Sequence, residues 1–543
     1  MATSTDTAAT EQPIAPPGPG GRAERRRRRA RLKSEHRAQR AAARGASHPD
    51  RGRRRGRSAG EEGADDAGLG PLPPTMGWAH RDGGGSVNIP HVPEYQATTA
   101  QACGLFPFVT SSKPPSVGTP IGRDLLSGEV VCLDPLAWLR AGLVTNPGCF
   151  VLGQPGTGKS TLVKRLVTGA VAFGTRAIVL GDTKPDYTNL IRYLGGQVVE
   201  IGRGMDRINP LDSGPLGSSL ELLGPDERAQ LRWEVRSRRI SLLMALCTLV
   251  REDRISNAEE VVLGAAVDLL DERLGAGVQP TVPDVLRVIE EGPDGLRALA
   301  RAGGSGDRYD ERVDDLVFTL RLLCTGSLAG VFDGPTTNPV DLNAPGISVD
   351  ISRVGAAGDK LLTAAMLCTW SYGFGMVDAL GMLAEQGVMA PRSYIGVMDE
   401  LWRALRGAPG LVEYADSLTR LNRSKGMASV MVTHSLSDLE ALANEEDRAK
   451  ARGFVDRSAI TILAGLPPRE LSRVNQITPL TEPEQGLVSS WSSPDSWQPG
   501  TLHPGRGRYL IKTGAERLGI PVQMTLTGDE FHLYDTDQAV NRV

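Results

Sequence analysis

One segment constrains the fold of this chain more than any other, and it consists of Gly153, Gln154, Pro155, Gly156, Thr157, Gly158, Lys159, Ser160 and Thr161. It fits the pattern GxxxxGK[ST], with a short apolar run before it and a helical pattern, Leu162 to Val171, after it. Glycines let the backbone curl so that its N–H groups point inward, and the start of the following helix adds partial positive charge. The segment therefore predicts a phosphate-binding loop between a buried strand and a helix.

Two side chains of this loop are suited to a nucleoside triphosphate. The Lys159 ammonium would neutralise oxygens of the β- and γ-phosphates, and the Ser160 hydroxyl would be a ligand of Mg²⁺. We predict that Gly153–Thr161 binds ATP, that Lys159 takes part in catalysis and that Mg²⁺ is the metal cofactor. A glycine-rich turn with an unrelated lysine is the alternative, which the flanking strand and helix disfavour.

A pair of acids supplies the carboxylate that such a loop needs on a neighbouring strand. Asp399 and Glu400 follow the apolar run Tyr394–Met398. We predict that Asp399 binds the metal through water, and that Glu400 takes a proton from the attacking water or orients it. Adjacent acids are also typical of a helix N-cap, and residues 401–405 could be that helix.

Two arginines and a histidine extend the candidate site downstream. Arginine is always charged and its planar fork suits phosphate oxygens, so Arg423, with Arg420 as second choice, could act as a finger across a subunit interface. His434 follows an apolar run and could sense the γ-phosphate. A solvated basic helix end and an ordinary hydrogen-bonded histidine are the structural alternatives.

A second polar cluster follows the apolar run Ala177–Asp182. Asp182, Lys184 and Asp186 could contact nucleotide or the next subunit, or they could form a structural turn. The residues themselves leave both interpretations open.

Apolar runs of strand length alternate with helical stretches from about Pro107 onward, which predicts an α/β fold with a mainly parallel sheet. The runs are Cys149–Gly153, Ala177–Asp182, Gln197–Gly202, Ile347–Ser352, Tyr394–Glu400, Ala428–His434 and Ala459–Gly465, with two further strands predicted at Tyr509–Lys512 and Val522–Thr527. The predicted divisions are a tail (1–75), a segment leading into the core (76–147), the first part of the core (148–212), a helical insertion (213–341), the second part of the core (342–480) and C-terminal strands that complete it (481–543).

The N-terminal tail differs in charge from the rest of the chain. Residues 21–57 hold 16 Arg or Lys and 3 Asp or Glu, which leaves 45 basic and 61 acidic residues elsewhere from totals of 61 and 64. Because the tail is rich in Ala, Gly, Pro and Arg, we predict that it is disordered. Its arginine runs could attract DNA, RNA or anionic lipid, or could simply be solvated. The acidic remainder argues against broad coating of nucleic acid.

Composition favours a cytoplasmic protein. The six cysteines are scattered without zinc or disulfide spacing, and the N-terminus lacks the apolar core of a signal peptide. The most apolar window, residues 361–380, contains Thr363, Thr369, Ser371 and Asp378, so we predict a buried helix rather than a membrane span. A peripheral position at the inner face of the cell membrane would then depend on a partner.

The order of these blocks resembles the HerA–FtsK superfamily of ring ATPases, and within it the TraC/VirB-type ATPases of conjugative type IV secretion. The blocks are the phosphate-binding loop, the sequence GDTKPDY, Leu194-Gly195-Gly196 with Ile208-Asn209-Pro210, the segment 330–334, the acid pair, the arginine-rich block and the strand-end His434. Leu526, Thr527 and Glu530 also look familial. The resemblance runs from about Pro107 to the C-terminus.

The resemblance implies a RecA-like core, a hexameric homo-oligomer, and hydrolysis of ATP to ADP and phosphate that drives transfer through membrane secretion-channel proteins, with DNA or a DNA–protein complex as a candidate substrate. His434 stands where many relatives carry glutamine, and Asp186 replaces their glutamate. We expect the domain that precedes the core in many relatives to be short or missing here. A DNA translocase or helicase of the HerA–FtsK type shares this active site and stays open as an alternative. A nucleotide-dependent switch is the third alternative, which Glu400 disfavours.

Overall fold

We describe the protein from a computed structural model. The structure describes residues 114–534 with gaps at 213, 215–222, 275–277, 301–305, 327–328, 342, 356–357, 408–410, 420–425, 443, 493–504 and 515–516. The prediction of a disordered tail over residues 1–75 lies outside these residues.

A single sheet of eleven strands organises the described chain. The strands are β1 (Thr119–Asp124), β2 (Val130–Leu133), β3 (Gly148–Leu152), β4 (Arg176–Asp182), β5 (Gln197–Glu200), β6 (Gly346–Asp350), β7 (Tyr394–Met398), β8 (Met427–Thr433), β9 (Ile460–Leu463), β10 (Arg508–Lys512) and β11 (Ile520–Met524). Their order across the sheet is β2-β1-β11-β10-β9-β3-β8-β7-β4-β6-β5. The run from β9 to β5 is parallel throughout, and β10, β11, β1 and β2 extend it with antiparallel pairs.

Seventeen helices are assigned within the described residues. They are α1 (Pro135–Arg140), α2 (Lys159–Ala172), α3 (Thr188–Tyr193), α4 (Pro225–Arg251), α5 (Asn257–Leu274), α6 (Val282–Glu291), α7 (Asp294–Leu299), α8 (Gly306–Thr325), α9 (Ser352–Gly355), α10 (Asp359–Glu385), α11 (Leu401–Leu405), α12 (Leu411–Thr419), α13 (Leu436–Glu440), α14 (Glu445–Asp456), α15 (Pro468–Ile477), α16 (Glu482–Ser490) and α17 (Gly528–Tyr534). Helices α4 to α8 follow one another between β5 and β6, in the region of the predicted helical insertion, residues 213–341.

Local sequence explains several helix starts. Asp134 accepts hydrogen bonds from the N–H groups of Leu136 and Ala137 at the start of α1, which begins with a proline. Thr481 and Glu484 form a capping box at the start of α16. Such caps satisfy N–H groups that the first helical turn leaves without partners.

The sheet is covered on both faces because its strands are apolar on both sides. Along β3, Cys149 and Val151 pack into one hydrophobic core with α2 residues, whereas Phe150 and Leu152 pack into the other with α10 residues. This arrangement is the expected one for a parallel sheet between helical layers. The structure confirms the predicted α/β fold with a mainly parallel sheet.

The most apolar segment of the chain forms α10, whose Trp370 is fully buried and donates its indole N–H to the Leu180 carbonyl on β4 at 2.9 Å. The prediction of a buried helix here is confirmed. Nowhere in the described part of the chain does a helix combine the length and apolar character needed to cross a bilayer.

Candidate nucleotide-binding site

The candidate residues gather at one edge of the sheet, because parallel strands end at the same edge. β3 ends in register with β8, where Leu152 pairs with Thr433, and with β9, where it pairs with Leu463. β7 lies on the other side of β8. The phosphate-binding loop, His434 and the acid pair therefore follow neighbouring strands at a common edge.

The loop after β3 has the backbone of a phosphate-binding nest. Gly156 and Gly158 have φ values of 80° and 93°, in the left-handed region that glycine adopts without strain. Thr157 closes the turn by donating its hydroxyl to the Gln154 carbonyl at 2.7 Å. At Gly153 a Cβ atom would stand 2.5 Å from the Ala464 Cβ, so only glycine fits beside the end of β9.

Lys159 is buried inside this loop and spans it. Its Nζ donates to the Gly153 carbonyl at 2.6 Å and to the Gln154 carbonyl at 3.0 Å. Burial lowers the pKa of Lys159 to about 8, although the nearby carboxylates of Asp399 and Glu400 act in the opposite direction. This influence agrees with the position of the acid pair at the same edge of the sheet as the loop.

Asp399 is held at the end of β7 by two donors. The Tyr187 hydroxyl donates to its Oδ2 at 3.0 Å, and the Glu400 N–H donates to its Oδ1 at 2.9 Å. Burial, together with the charge of Glu400, raises the pKa of Asp399. A cation beside this carboxylate would therefore stabilise its charged form.

Glu400 lies among three donors. Its Oε1 is 3.0 Å from His434 Nε2 and 3.3 Å from Lys184 Nζ, and its Oε2 accepts the Trp402 indole N–H at 2.6 Å. Burial alone would raise the pKa of Glu400, but these partners, His434 first, outweigh it and lower the pKa to about 2. The carboxylate is therefore charged and well oriented.

The backbone at Glu400 is strained. Its φ of 52° lies in the left-handed region, and Glu252 is the other non-glycine residue of the described chain with a positive φ. Such conformations cost about 1–3 kcal/mol and are concentrated at functional sites. The predicted helix after the acid pair exists as α11, yet the Glu400 side chain makes no capping hydrogen bond to it. Glu400 thus occupies the N-cap position of α11 without capping the helix through its side chain.

The second strand-end cluster forms a turn. The buried Asp182 accepts the Tyr187 N–H at 2.8 Å and the Asp186 N–H at 3.3 Å. Burial raises the pKa of Asp182 well above its usual range. Asp182 thus orders the loop that carries Lys184 and Tyr187 to the acid pair, and Lys184 contacts Glu400 directly.

Asn209, in the motif Ile208-Asn209-Pro210, makes contacts that hold two parts of the fold together. It is buried, donates its amide to the Pro280 carbonyl at 2.9 Å, and accepts the Leu211 N–H at 3.0 Å. It connects the chain after β5 to the segment before α6. Arg420 and Arg423 lie outside the described residues, and their assignment stays a prediction.

The donor chemistry around the loop suits Mg²⁺. Ser160, at the start of α2, offers a hydroxyl. Asp399 offers a carboxylate, and a bound cation would lower the pKa that burial raises there. Magnesium prefers oxygen ligands and keeps waters and phosphate oxygens among them, so one or two protein ligands suffice. The described residues contain no group of three or more His, Cys, Asp or Glu that could hold a metal on its own.

Sequence reasoning missed several contacts of the site. It did not predict that Tyr187 contacts Asp399 or that Trp402 contacts Glu400. It also attached no role to Tyr509, whose hydroxyl donates to the Gly158 carbonyl at 2.7 Å. The position of Trp402 two residues after Glu400 was a usable local signal. Tyr509 gave none, because it is 351 residues away in the chain.

The sheet, the glycine nest and the strand-end carboxylates together define a RecA-like P-loop NTPase fold. No protein-family model matches the sequence. No curated protein matches it either.

Solved structures do match. The chain is similar to VirB4 of Thermoanaerobacter pseudethanolicus, with 19% identity, a TM-score of 0.57, and coverage of 78% of this chain and 100% of that chain. It also matches the bacterial conjugative coupling protein TrwB, with 13% identity, a TM-score of 0.45, and coverage of 75% of this chain and 88% of that chain. The VirB4 match shows a shared fold, in agreement with the resemblance to VirB-type ATPases that the motifs give.

Proposed function

We propose that this protein hydrolyses ATP to ADP and phosphate with Mg²⁺, and that it acts as the motor of a conjugative type IV secretion system. One observation carries the enzymatic part. Lys159, at the start of α2 after β3, and Glu400, after β7, lie at one edge of the sheet, with β8 between their two strands.

Each residue has a role in this proposal. The backbone N–H groups of Gly156–Lys159 would hold the phosphates. The Lys159 ammonium would exchange its hydrogen bonds to the Gly153 and Gln154 carbonyls for contacts with phosphate oxygens. Ser160 and Asp399 would hold Mg²⁺, which when bound neutralises charge on the phosphate oxygens.

Glu400 would act mainly by orienting the attacking water. A carboxylate with a pKa of about 2 accepts a hydrogen bond readily but is a weak base. His434, which contacts Glu400, would respond to the γ-phosphate through this contact.

The secretion role is supported by the order of the sequence motifs and by the fold that the chain shares with VirB4. We further propose a homo-oligomeric ring, a hexamer by resemblance, that docks on membrane channel proteins. Arg423 or Arg420 would reach the nucleotide of the neighbouring subunit. If so, mixing inactive Arg423→Ala subunits with Lys159→Ala subunits should restore activity, and no gain on mixing would refute a finger in trans.

Two variants test the enzymatic part. Lys159→Ala should lose nucleotide binding, whereas Glu400→Gln should bind nucleotide and hydrolyse it about 10²–10⁴-fold more slowly. Lys450→Ala and Glu291→Gln are matched controls, because both residues form ion pairs away from the loop. Steady-state phosphate release and calorimetric binding measure the two effects, and undiminished turnover in either test variant would refute the assignment.

The DNA-translocase alternative is tested by adding duplex DNA to the wild-type protein. A translocase should show stimulation that falls steeply as salt rises, because contacts to phosphate release counterions. A secretion motor that does not bind DNA directly should show no such stimulation.

A further inference from the structure

The start of β10 lies directly on the phosphate-binding loop. β10 runs antiparallel to β9, so its first residues lie at the edge where the parallel strands end. The Gly507 N–H donates to the Thr157 carbonyl at 3.2 Å, and the Tyr509 hydroxyl donates to the Gly158 carbonyl at 2.7 Å. Two consecutive carbonyls of the loop are thus held by one distant segment.

These contacts fix the direction of two N–H groups. In a planar trans peptide the carbonyl and the following N–H point in opposite directions. Holding the Thr157 carbonyl therefore orients the Gly158 N–H, and holding the Gly158 carbonyl orients the Lys159 N–H. Both N–H groups point away from β10, and they belong to the nest that would cradle the phosphates.

The contact at Gly158 is close and specific. Tyr509 is fully buried, and a Cβ atom at Gly158 would stand 2.8 Å from the Tyr509 hydroxyl oxygen. Burial raises the pKa of Tyr509, so the phenol stays protonated and remains a donor. The Gly158 carbonyl also accepts the Leu162 N–H at 3.0 Å within α2. Since that carbonyl already has a partner, the phenol chiefly restricts the direction of the peptide.

We propose that Gly507 and Tyr509 form a clasp that holds the phosphate-binding loop in its nucleotide-ready conformation, with Tyr509 as a positioning residue for the β-phosphate. This inference rests on the proposed nucleotide binding. It assigns a functional role to the start of a C-terminal strand that would otherwise only extend the sheet.

Tyr509→Phe tests the clasp, because it removes the hydroxyl and keeps the ring. Calorimetry with Mg²⁺ should show about five- to tenfold weaker binding of both ADP and a non-hydrolysable ATP analogue, the loss expected for one net hydrogen bond. The two ligands should lose affinity by the same factor because both carry the β-phosphate. The matched control is Tyr534→Phe. The Tyr534 hydroxyl donates at 2.7 Å to the Thr168 hydroxyl, which lies on α2 but away from the loop.

The melting temperature of each nucleotide-free variant separates positioning from stability. The clasp predicts that only Tyr509→Phe weakens binding, even where both variants melt at similar temperatures. Equal affinity of Tyr509→Phe and wild type would overturn the clasp, as would a loss confined to the triphosphate analogue or a similar loss in Tyr534→Phe. A wild-type protein that binds neither ligand would instead refute the proposed function, and the clasp with it.

Discussion

His434 Nε2 lies 3.0 Å from Glu400 Oε1, which joins the ends of β8 and β7 through side chains. The other ring nitrogen, Nδ1, is buried and has no hydrogen-bond partner among the described residues. β8 lies between β3 and β7, so His434 stands between the phosphate-binding loop and the carboxylate that would orient water. In the proposed mechanism, His434 would link the state of the nucleotide to the orientation of Glu400.

Replacing His434 tests this link. His434→Ala should lower kcat about tenfold, the scale of one charge-assisted hydrogen bond, and leave nucleotide affinity nearly unchanged. His434→Gln keeps an N–H donor and should retain most of the activity. Steady-state ATPase assays measure both, with His532→Ala on α17 as the control. Wild-type turnover in His434→Ala would assign the histidine a merely structural role.

Tyr187 positions the proposed metal ligand. Its hydroxyl donates to Asp399 Oδ2 at 3.0 Å, and Tyr187→Phe would remove that donor while keeping the buried ring. We expect a several-fold higher Mg²⁺ concentration for half-maximal ATPase activity, because outer contacts orient metal-binding carboxylates. A magnesium titration measures this. Tyr309→Phe, which loses a hydroxyl bonded to the Ile289 carbonyl at 2.9 Å, should leave the titration unchanged.

Gly153 is fixed by close packing. In Gly153→Ala the new methyl group would meet the Ala464 Cβ at 2.5 Å, which forces the loop away from the end of β9. We expect a loss of about 1–3 kcal/mol in the free energy of unfolding, together with weaker nucleotide binding. Urea denaturation and calorimetry measure the two effects. Gly381→Ala, within α10 and with nothing within 4 Å of the added Cβ, should be neutral or stabilising.

The ion pair of Glu484 and Lys512 predicts a pH dependence of stability. Lys512 Nζ is 3.0 Å from Glu484 Oε1, and both side chains are buried. Burial would raise the pKa of Glu484, but hydrogen bonds from Thr481, Gly519 and Lys512 outweigh it and lower the pKa below its usual 4.5. A carboxyl whose pKa is lower in the folded chain than in the unfolded chain stabilises the fold above its unfolded pKa. This contribution is lost as the pH falls through the folded pKa.

Glu484→Gln should therefore cost about 3 kcal/mol at pH 7, as expected when a buried charge loses its partner. The difference from wild type should shrink as the pH falls below about 4.5, the usual value for Glu. Urea denaturation across this range measures the difference. The control is Glu291→Gln, which removes an exposed ion pair with Arg273. It should change the free energy of unfolding by less than about 1 kcal/mol at any pH. A constant deficit in Glu484→Gln would contradict the linkage.

Much of the fold could be predicted because its signals are local. The seven parallel strands coincide with apolar runs of the sequence, since a strand buried on both faces needs apolar side chains on both. β1 and β2 were missed. Thr119–Asp124 carries exposed Pro120 and Arg123 between buried residues, and such a short mixed run resembles a loop. β2 pairs with β1 at one side of the sheet, and β1 pairs with β11, a contact between distant parts of the chain.

By itself, the sequence determined which groups the candidate site contains, because a glycine-rich loop, a lysine and paired carboxylates each have a recognisable local pattern. Only the tertiary structure decided how they are held: His434, Lys184 and Trp402 around Glu400, Tyr187 on Asp399, and Tyr509 on Gly158. The reason is physical. Residue types and spacing encode which groups can bind phosphate, whereas strand order and register set which distant side chains meet at the edge of the sheet.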